Sequence, residues 1–307
     1  MKTPYERSLI VLFGITAIIA AFFFHNYYKV EMEIERALAE EERIAMETWN
    51  KLDGLGYIAK AVSVYDATDN KKLYGKNDDV SMPIASLAKT MTVLTALLED
   101  KDEEMPRVVR ITPNAIYQYG DYGLFVNEKW DATDLAKFTM ISSANDGAFA
   151  LLGEKENPLE KMNQRATRMG MKNTTFLNFT GLDIPEEADS FLPAKSKPGA
   201  YSSAEDMNLL SVHAYRLYPE IFGATIVPEM NLVSASGFSH NVKNTNTSVE
   251  KIPGLLFSKT GNTNIAGGNL SIIFEDSRGH QIAVTVLGST ALGRFADIEK
   301  IVEALYK

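Results

Sequence analysis

The sequence predicts an α+β fold: a five-stranded antiparallel sheet flanked by helices, with a mainly helical insertion, preceded by a transmembrane helix. Three observations predict it. Segments with strand-like alternation lie near both ends of the chain, the middle carries helical periodicity, and a long apolar run lies close to the N-terminus. The simplest architecture for this order is one sheet built from both chain ends and covered by helices.

The composition excludes several classes of function. With 307 residues, 45% of them hydrophobic, the chain can form one large globular domain. It has no cysteine for disulfides or thiolate chemistry, and its four histidines lack the i, i+4 spacing of a zinc hydrolase, so we expect no metal and no other cofactor. The net charge of -9 argues against nucleic acid, because phosphate binding needs clustered Lys and Arg.

The first predicted element is a membrane anchor at 8–28. This segment contains no Asp, Glu, Lys or Arg, and about 20 helical residues match the hydrocarbon thickness of a bilayer. Lys2 and Arg7 precede the run and glutamates follow it. The positive-inside rule therefore predicts a cytoplasmic tail at 1–7 and an extracytoplasmic domain, in a single-pass protein of the cytoplasmic membrane. A cleaved signal peptide is the alternative, but the run ends in aromatic residues and lacks a small-x-small site.

Residues 29–55 are predicted to form a helical stalk or linker. The segment is rich in good helix formers, and it contains seven glutamates against two arginines between Val30 and Asn50. A solvated spacer is the favoured interpretation. Self-association through a coiled coil stays open as the alternative, although Glu and Thr at the seam positions disfavour it.

The globular domain is assigned to 56–307. It opens with a predicted hairpin, from YIAKAVSVY through a polar turn to KKLYGKN. A helix is expected from Ser86 to about Asp100, and helical periodicity dominates from Pro113 to Tyr218. Strands return at GLLFSKTG, GGNLSIIFEDS and HQIAVTVLGS, and a last helix is expected from about Arg294 to Tyr306.

The first chemical motif is Ser86-Leu87-Ala88-Lys89, at the start of a predicted helix. Positions i and i+3 share a helix face, so the Lys89 amine can lie beside the Ser86 hydroxyl. A buried lysine with a lowered pKa can take the proton of a serine nucleophile. Alone the motif is weak, because a serine at a helix N-terminus is usually a cap.

Two further motifs follow, each with an ordinary structural alternative. Ser143-Ala144-Asn145 follows a helical run and could relay a proton and bind a substrate amide; otherwise it is a polar helix end. Lys259-Thr260-Gly261 lies on a predicted strand and is otherwise a strand that ends in a turn. There an ammonium group can lower the pKa of Lys89 and attract a carboxylate. Thr260 can donate to that carboxylate, and the glycine lets substrate lie against the strand.

The conjunction of the three motifs, in this order, is known from penicillin-binding proteins and class A β-lactamases. From about Ala59 onward the chain resembles the D-alanyl-D-alanine carboxypeptidase family, the low-molecular-mass penicillin-binding proteins. The resemblance also covers PIASLAKTMT, GLFVNEKWDATDLAKFTMISSANDGA, MNQRATRMGMKNTTFLNFTGLD, YSSAEDM and SKTGNTNIAGGNL. It implies the β-lactamase/D,D-peptidase fold and a serine-type D-Ala-D-Ala carboxypeptidase, a hydrolase that trims peptidoglycan stem peptides and binds β-lactams.

The resemblance implies roles for the matching residues. Ser86 would be acylated by the penultimate D-Ala carbonyl, and Lys89 would be the general base. Ser143 and Lys259 would move or stabilise charge, and Asn145 would bind the substrate amide.

It also implies an oxyanion hole made by the backbone N-H groups of Ser86 and Asn262. Arg294 would help to hold the substrate carboxylate, with a surface residue at a helix N-terminus as the alternative. Ala144 departs from the glycine that relatives usually have, which would add a methyl group near the cleft. Phe257 and Ser258 stand where an aliphatic residue is commoner before the lysine.

Three other functions stay open. A D,D-endopeptidase would cut cross-links with the same residues. A β-lactamase would need a deacylating base, usually from a Glu-x-x-x-Asn loop, and neither Glu186 nor Glu187 is followed by Asn at that spacing. A non-catalytic penicillin sensor or wall-binding scaffold would keep the fold without turnover.

Overall fold

The computed structural model describes residues 3–99, 107–120, 122–185 and 196–306. Lys2, Glu186 and Glu187, which enter the sequence predictions, lie outside the described residues. The chain divides into two compact units, Met1–Lys51 and Leu52–Lys307.

The first unit is helical. Helix α1 runs from Pro4 to Asp53, so the predicted anchor and the predicted stalk belong to one continuous helix. Arg43 pairs with Glu40 and Glu47, one turn away on either side, as suits a solvated helix face. A transmembrane helix is predicted at 8–28; in the described part of the chain, however, no helix combines the length and the apolarity needed to cross a membrane.

The second unit contains short and long helices around strands of varied length. Its described helices are α2 (Lys89–Glu99), α3 (Pro113–Ile116), α4 (Ala132–Ser142), α5 (Asn145–Ala148), α6 (Pro158–Arg168), α7 (Ala204–Leu217), α8 (Pro219–Phe222) and α9 (Gly293–Leu305). Its described strands are β1 (Ala61–Asp66), β2 (Lys71–Lys76), β3 (Met82–Pro83), β4 (Val108–Arg110), β5 (Lys129–Asp131), β6 (Thr175–Phe176), β7 (Ile184–Pro185), β8 (Ser196–Lys197), β9 (Ala200–Ser202), β10 (Glu229–Val233), β11 (Ser239–Lys243), β12 (Leu255–Thr263), β13 (Gly267–Glu275) and β14 (Gln281–Ser289).

The predicted five-stranded antiparallel sheet is confirmed. Its spatial order is β12-β13-β14-β1-β2, so the first strand of the unit pairs with the last one. Among the described residues there are four smaller sheets: β3-β9-β6 and the pairs β4-β5, β7-β8 and β10-β11. The β10-β11 hairpin was not predicted, because its mostly exposed strands carry polar residues that hide a strand pattern.

Alternate residues of the central strands face two different layers, since side chains alternate along a strand. In β13, Leu270, Ile272 and Phe274 belong to the core beneath α9, whereas Ile273 belongs to the core beneath the helical region. Each such side chain contributes roughly 1.5–3 kcal/mol on burial. The sheet is thus covered on both faces. The Lys259-Thr260-Gly261 motif lies on β12, between the two layers.

The second unit begins earlier than the predicted boundary at 56. Leu52 is fully buried in the core beneath α9. The Tyr74 hydroxyl donates to the Asp53 carboxylate at 2.9 Å, and the Tyr57 hydroxyl donates to the backbone oxygen of Leu52 at 2.6 Å. The last residues of α1 therefore belong to the globular unit and not to the stalk.

Candidate active site

The candidate nucleophile lies on a tight turn and not on the α-helix expected from the sequence. Residues Ala85–Ala88 form one turn of 3-10 helix, and α2 begins only at Lys89. Side chains at i and i+3 eclipse each other in a 3-10 helix, because it has three residues per turn. Lys89 Nζ accordingly lies 2.8 Å from Ser86 Oγ, so the expected pairing of hydroxyl and amine is present.

The fully buried position of the Lys89 amine decides its protonation. Burial lowers the pKa of Lys89 to about 7, because the ammonium form loses its hydration, and the negative charge of Asp146 opposes the shift. The sequence prediction gave Lys259 a share in this shift; in the structure burial is the cause. The amine also bonds the backbone oxygen of Thr180 at 3.1 Å. In its neutral form it can accept the Ser86 proton.

Two glycines allow other segments to pack against the turn Ala85–Ala88, here called the nucleophile turn because it contains the candidate nucleophile Ser86. A Cβ atom on Gly181 would lie 1.9 Å from the backbone oxygen of Ala85, and one on Gly261 would lie 2.6 Å from that of Ile84. Gly181 also has a φ of +74°, which favours glycine. Gly261 therefore lets β12 approach the turn that bears Ser86, a role that the sequence analysis did not assign to it.

The second motif lies at the C-terminal end of α4. Ser143 has a left-handed backbone conformation with a φ of +61°, and Ala85, just before the nucleophile, has a φ of +48°. Such conformations cost about 1–3 kcal/mol and concentrate at functional sites. Ser143 Oγ accepts a hydrogen bond from Lys259 Nζ at 2.8 Å. The Ser143 hydroxyl and the Lys259 amine thus form a second hydroxyl-amine pair, from distant parts of the sequence.

Lys259 is as buried as Lys89. Its pKa lies well below the ordinary lysine value, first because of burial and then because of the positive charges of Lys89 and Arg294. The amine also bonds the backbone oxygen of Thr260 at 2.9 Å. Because a positive charge on Lys89 lowers the pKa of Lys259, the protonation of one hydroxyl-amine pair affects the other.

Asn145 presents an acceptor that has no partner. Its Nδ2 donates to the backbone oxygen of Tyr119 at 2.6 Å, while its buried Oδ1 has no hydrogen-bond partner among the described residues. A buried acceptor without a partner is costly, and a substrate N-H could satisfy it. The next residue, Asp146, is buried and accepts the backbone N-H groups of Tyr122 and Leu124, which fixes the neighbouring loop.

The remaining predicted residues line β12 and the start of α9. Thr260 Oγ1 lies 2.6 Å from Thr245 Oγ1, and Arg294 Nη1 donates to the backbone oxygen of Gly261 at 2.7 Å. Arg294 is almost fully buried, so the alternative of a surface residue is wrong. Burial lowers its pKa to about 10. Asn262 follows on β12 and is exposed.

Sequence reasoning missed three residues of this site. Asp146, Thr180 and Thr245 contact or influence the motif residues, but each is a common polar residue in a loop or a helix, without a pattern that marks it. The methyl group of Ala144, expected near the cleft, is buried in the hydrophobic core beneath the helical region.

One group of potential metal ligands lies elsewhere in the described part of the unit. Asp66, Asp69 and His280 bring one ligand-type atom each within 4.8 Å of one another. Asp66 already accepts backbone N-H groups of its own turn and contacts His280 Nδ1 at 2.8 Å, which raises the pKa of His280. The hydrogen bonds of Asp66 to its own turn and to His280 account for the close approach of these groups.

The chain is similar to several known proteins. A family model described as D-alanyl-D-alanine carboxypeptidase matches residues 52–290. The curated D-alanyl-D-alanine carboxypeptidase DacF of Bacillus subtilis (strain 168) is 29% identical, over 81% of this chain and 62% of its own length. A D-alanyl-D-alanine endopeptidase of Pseudomonas aeruginosa is 30% identical, over 66% of this chain and 63% of its own. The chain therefore spans a little over three fifths of the length of these relatives.

Solved structures show the same fold. Penicillin-binding protein D2 from Listeria monocytogenes, in its ampicillin-bound form, is 29% identical with a TM-score of 0.65, over 83% of this chain and 100% of its own. The Streptomyces K15 DD-transpeptidase reaches a TM-score of 0.69 at 22% identity, over 81% of this chain and 97% of its own, and supports the fold alone.

Proposed function

The chain belongs to the D-alanyl-D-alanine carboxypeptidase family, and from this premise we propose that it is a serine-type D-Ala-D-Ala carboxypeptidase acting on peptidoglycan stem peptides. The observation that carries the proposal is the fully buried Lys89 amine, 2.8 Å from the Ser86 hydroxyl and with a pKa lowered to about 7. A serine hydroxyl becomes an effective nucleophile only where such a base can take its proton.

In the acylation step Ser86 Oγ attacks the carbonyl carbon of the penultimate D-Ala, and the hydroxyl proton moves to the neutral Lys89 amine. The carbonyl oxygen becomes an oxyanion, for which we propose the backbone N-H groups of Ser86 and Asn262 as donors. Collapse of this intermediate breaks the peptide bond and leaves the acyl group on Ser86.

The leaving amine of the terminal D-Ala needs a proton. Ser143 is the proposed donor, because its hydroxyl is held at 2.8 Å by Lys259. The proton that Lys89 took from Ser86 passes through Lys259 to Ser143 and replaces the proton that Ser143 gives away, so Lys89 is neutral again. In the second step water attacks the ester and the neutral Lys89 amine takes a proton from that water. As the ester bond breaks, Lys89 returns this proton to Ser86 Oγ, and the shortened peptide is released with a free carboxylate.

Substrate binding is proposed for the groups around β12. The Asn145 Oδ1 acceptor suits a substrate N-H. The terminal carboxylate suits the Thr260 hydroxyl and the positive charge of Arg294, and Gly261 keeps the strand close to the nucleophile.

A D,D-endopeptidase that cuts cross-links is the second candidate. The 30% identity with an endopeptidase, over 66% of this chain, favours it, because it is within one percentage point of the 29% identity with the carboxypeptidase DacF, over 81% of this chain. A β-lactamase is less well supported, since the sequence lacks a suitably spaced deacylating glutamate. A non-catalytic sensor or wall-binding scaffold is disfavoured, because all polar groups of the three motifs are retained.

We also propose, from the sequence, that the catalytic unit lies outside the cytoplasm and that the chain is held at the membrane by the apolar segment 8–28. Washing a membrane extract with carbonate tests it. A protein that stays in the membrane fraction supports the anchor, and a protein released into the soluble fraction overturns it.

The first test of the activity uses a fluorescent penicillin and purified muropeptides with the full chain and its Ser86→Ala variant. We expect covalent labelling and the loss of one Ala from pentapeptides, and we expect Ser86→Ala to abolish both. Cleavage of cross-linked dimers would make the protein an endopeptidase, and rapid turnover of a chromogenic cephalosporin would make it a β-lactamase. Labelling without any peptide product would indicate the sensor or scaffold.

A further inference from the structure

Thr245 lies on a short segment that the three motifs do not include. Its backbone N-H donates to the oxygen of Ile141 at 3.2 Å, in the last turn of α4 just before Ser143. The preceding Asn244 donates through Nδ2 to the backbone oxygens of Thr225 and Val227, at 2.7 and 2.9 Å. Thr245 is therefore fixed between the end of α4 and strand β12.

The position of Thr245 brings its hydroxyl next to the hydroxyl of Thr260, the middle residue of the third motif. The two Oγ1 atoms of Thr245 and Thr260 lie 2.6 Å apart, a short distance for a hydrogen bond between neutral hydroxyls. Thr260 is buried and Thr245 is half-buried, so water competes little for this contact. Its direction decides what Thr260 can offer to a ligand.

A hydroxyl has one proton to donate and two lone pairs. If Thr260 donated to Thr245, its oxygen would face an anion with lone pairs only and would repel it. If Thr245 donates to Thr260, the Thr260 proton is free for a carboxylate. Hydrogen bonds in such a chain also polarise and strengthen one another. A bound carboxylate therefore selects the direction from Thr245 to Thr260.

We infer that Thr245 is a positioning residue that determines specificity for a free carboxylate: its hydroxyl orients the Thr260 hydroxyl toward the terminal carboxylate of the ligand. The inference rests on the proposed function, in which that carboxylate belongs to the terminal D-Ala or to a β-lactam. No contact between Thr245 and the reacting atoms is required.

The test compares acylation rates of the full chain by benzylpenicillin and by its methyl ester, which lacks the carboxylate, with mass spectrometry as readout. Thr245→Val removes the hydroxyl and keeps the shape of the side chain. We expect it to slow acylation by the free acid about tenfold, as for the loss of one hydrogen bond to a charged ligand, and to leave the rate with the ester within about twofold. Thr245→Ser keeps the hydroxyl and should restore the rate with the free acid.

Thr247→Val is the matched control, because Thr247 is exposed on the same segment two residues away. It should leave both rates unchanged. In a double-mutant cycle, Thr245→Val should have no further effect once Thr260 is Val, since the two hydroxyls act as one unit. Melting temperatures of all variants establish that they fold.

Equal slowing with the acid and the ester would overturn the inference, because Thr245 would then support the structure in general. An unchanged rate with the acid would overturn it as well. Release of D-Ala from a pentapeptide by the unaltered chain is measured separately. Its absence alongside normal penicillin acylation would refute the carboxypeptidase and leave the result on Thr245 standing, whereas a chain that penicillin does not acylate would refute both.

Discussion

At the scale of single residues, Lys89 shows how burial creates a base from a group that is normally protonated. The amine begins α2 with no exposed surface, and its partners are the Ser86 hydroxyl and the backbone oxygen of Thr180. Neither partner carries a charge that would stabilise the ammonium form. Asp146 supplies such a charge from a greater distance and only in part offsets the effect of burial.

The acylation rate should therefore follow the protonation of Lys89. Because its pKa is lowered to about 7, the amine is mostly protonated and inactive below that pH and mostly neutral above it. We expect the second-order rate constant for penicillin acylation to fall about tenfold per pH unit below the midpoint and to level off above it. A profile measured from pH 5 to 9 checks this.

Asp146→Asn is the matched control for the pH profile. The negative charge of Asp146 raises the pKa of Lys89, so its removal should move the midpoint to lower pH. A shift to higher pH, or a profile that does not depend on pH between 5 and 8, would contradict the assignment of Lys89 as the base.

The sequence alone predicts the residues of the three motifs but not what surrounds them. The contact between Ser86 and Lys89 could be predicted from their spacing alone, because residues three positions apart in a helical turn lie side by side. The Ser143-Lys259 pair joins residues 116 positions apart, and the Thr245-Thr260 contact joins residues 15 positions apart, so both depend on how the chain folds back on itself. Polar residues in such loops have no periodicity from which to infer a partner.

At the scale of elements, the nucleophile turn depends on the loop that contains Gly181. This glycine combines a positive φ with a Cβ position 1.9 Å from the backbone oxygen of Ala85. Gly170 has a similar φ of +81°, but a Cβ atom there would meet nothing within 4 Å. Comparing alanine substitutions at Gly181 and Gly170 therefore separates the free-energy cost of backbone strain from the cost of displacing the nucleophile turn.

Gly181→Ala should destabilise the protein more than Gly170→Ala and should also slow acylation. The backbone strain of alanine at positive φ costs about 1–2 kcal/mol at either position, and overpacking adds roughly 1–3 kcal/mol at Gly181 alone. Urea unfolding measures the free energies, and penicillin labelling of the folded variants measures the rates. Equal losses of stability and unchanged labelling in both variants would show that the turn does not depend on the close approach of this loop.

The long elements could be predicted because their patterns are strong. Strands β12, β13 and β14 and helix α9 lie close to their predicted bounds, since continuous apolar runs and a clear turn mark them. The 3-10 turn at Ala85–Ala88 could not be told from a helix start, because both place apolar and small residues at the same spacing. Its form results from the packing of β12 and the Gly181 loop against it.

At the scale of the whole molecule, the second compact unit, Leu52–Lys307, includes the last residues of α1. A protein that starts at Leu52 keeps the buried leucine side chain and the bond from Tyr74 to Asp53, whereas one that starts at Gly56 loses both. We expect the shorter protein to be less stable by about 2–5 kcal/mol, the usual cost of deleting a buried leucine side chain. Calorimetry of the two proteins would check this, and equal melting temperatures would place the boundary at 56.

The strand order of the five-stranded sheet also affects the chain while it is being synthesised. Strand β1 pairs with β14, so the first hairpin of the unit has no neighbour on one side until residues 281–289 have been made. A growing chain keeps that strand edge open to other chains, and contacts between distant segments slow folding. The nucleophile turn, held by β12, also waits for the late strands. We therefore expect an unfinished chain to be vulnerable to aggregation and, on the proposed function, to react with penicillin only after the last strand has joined the sheet.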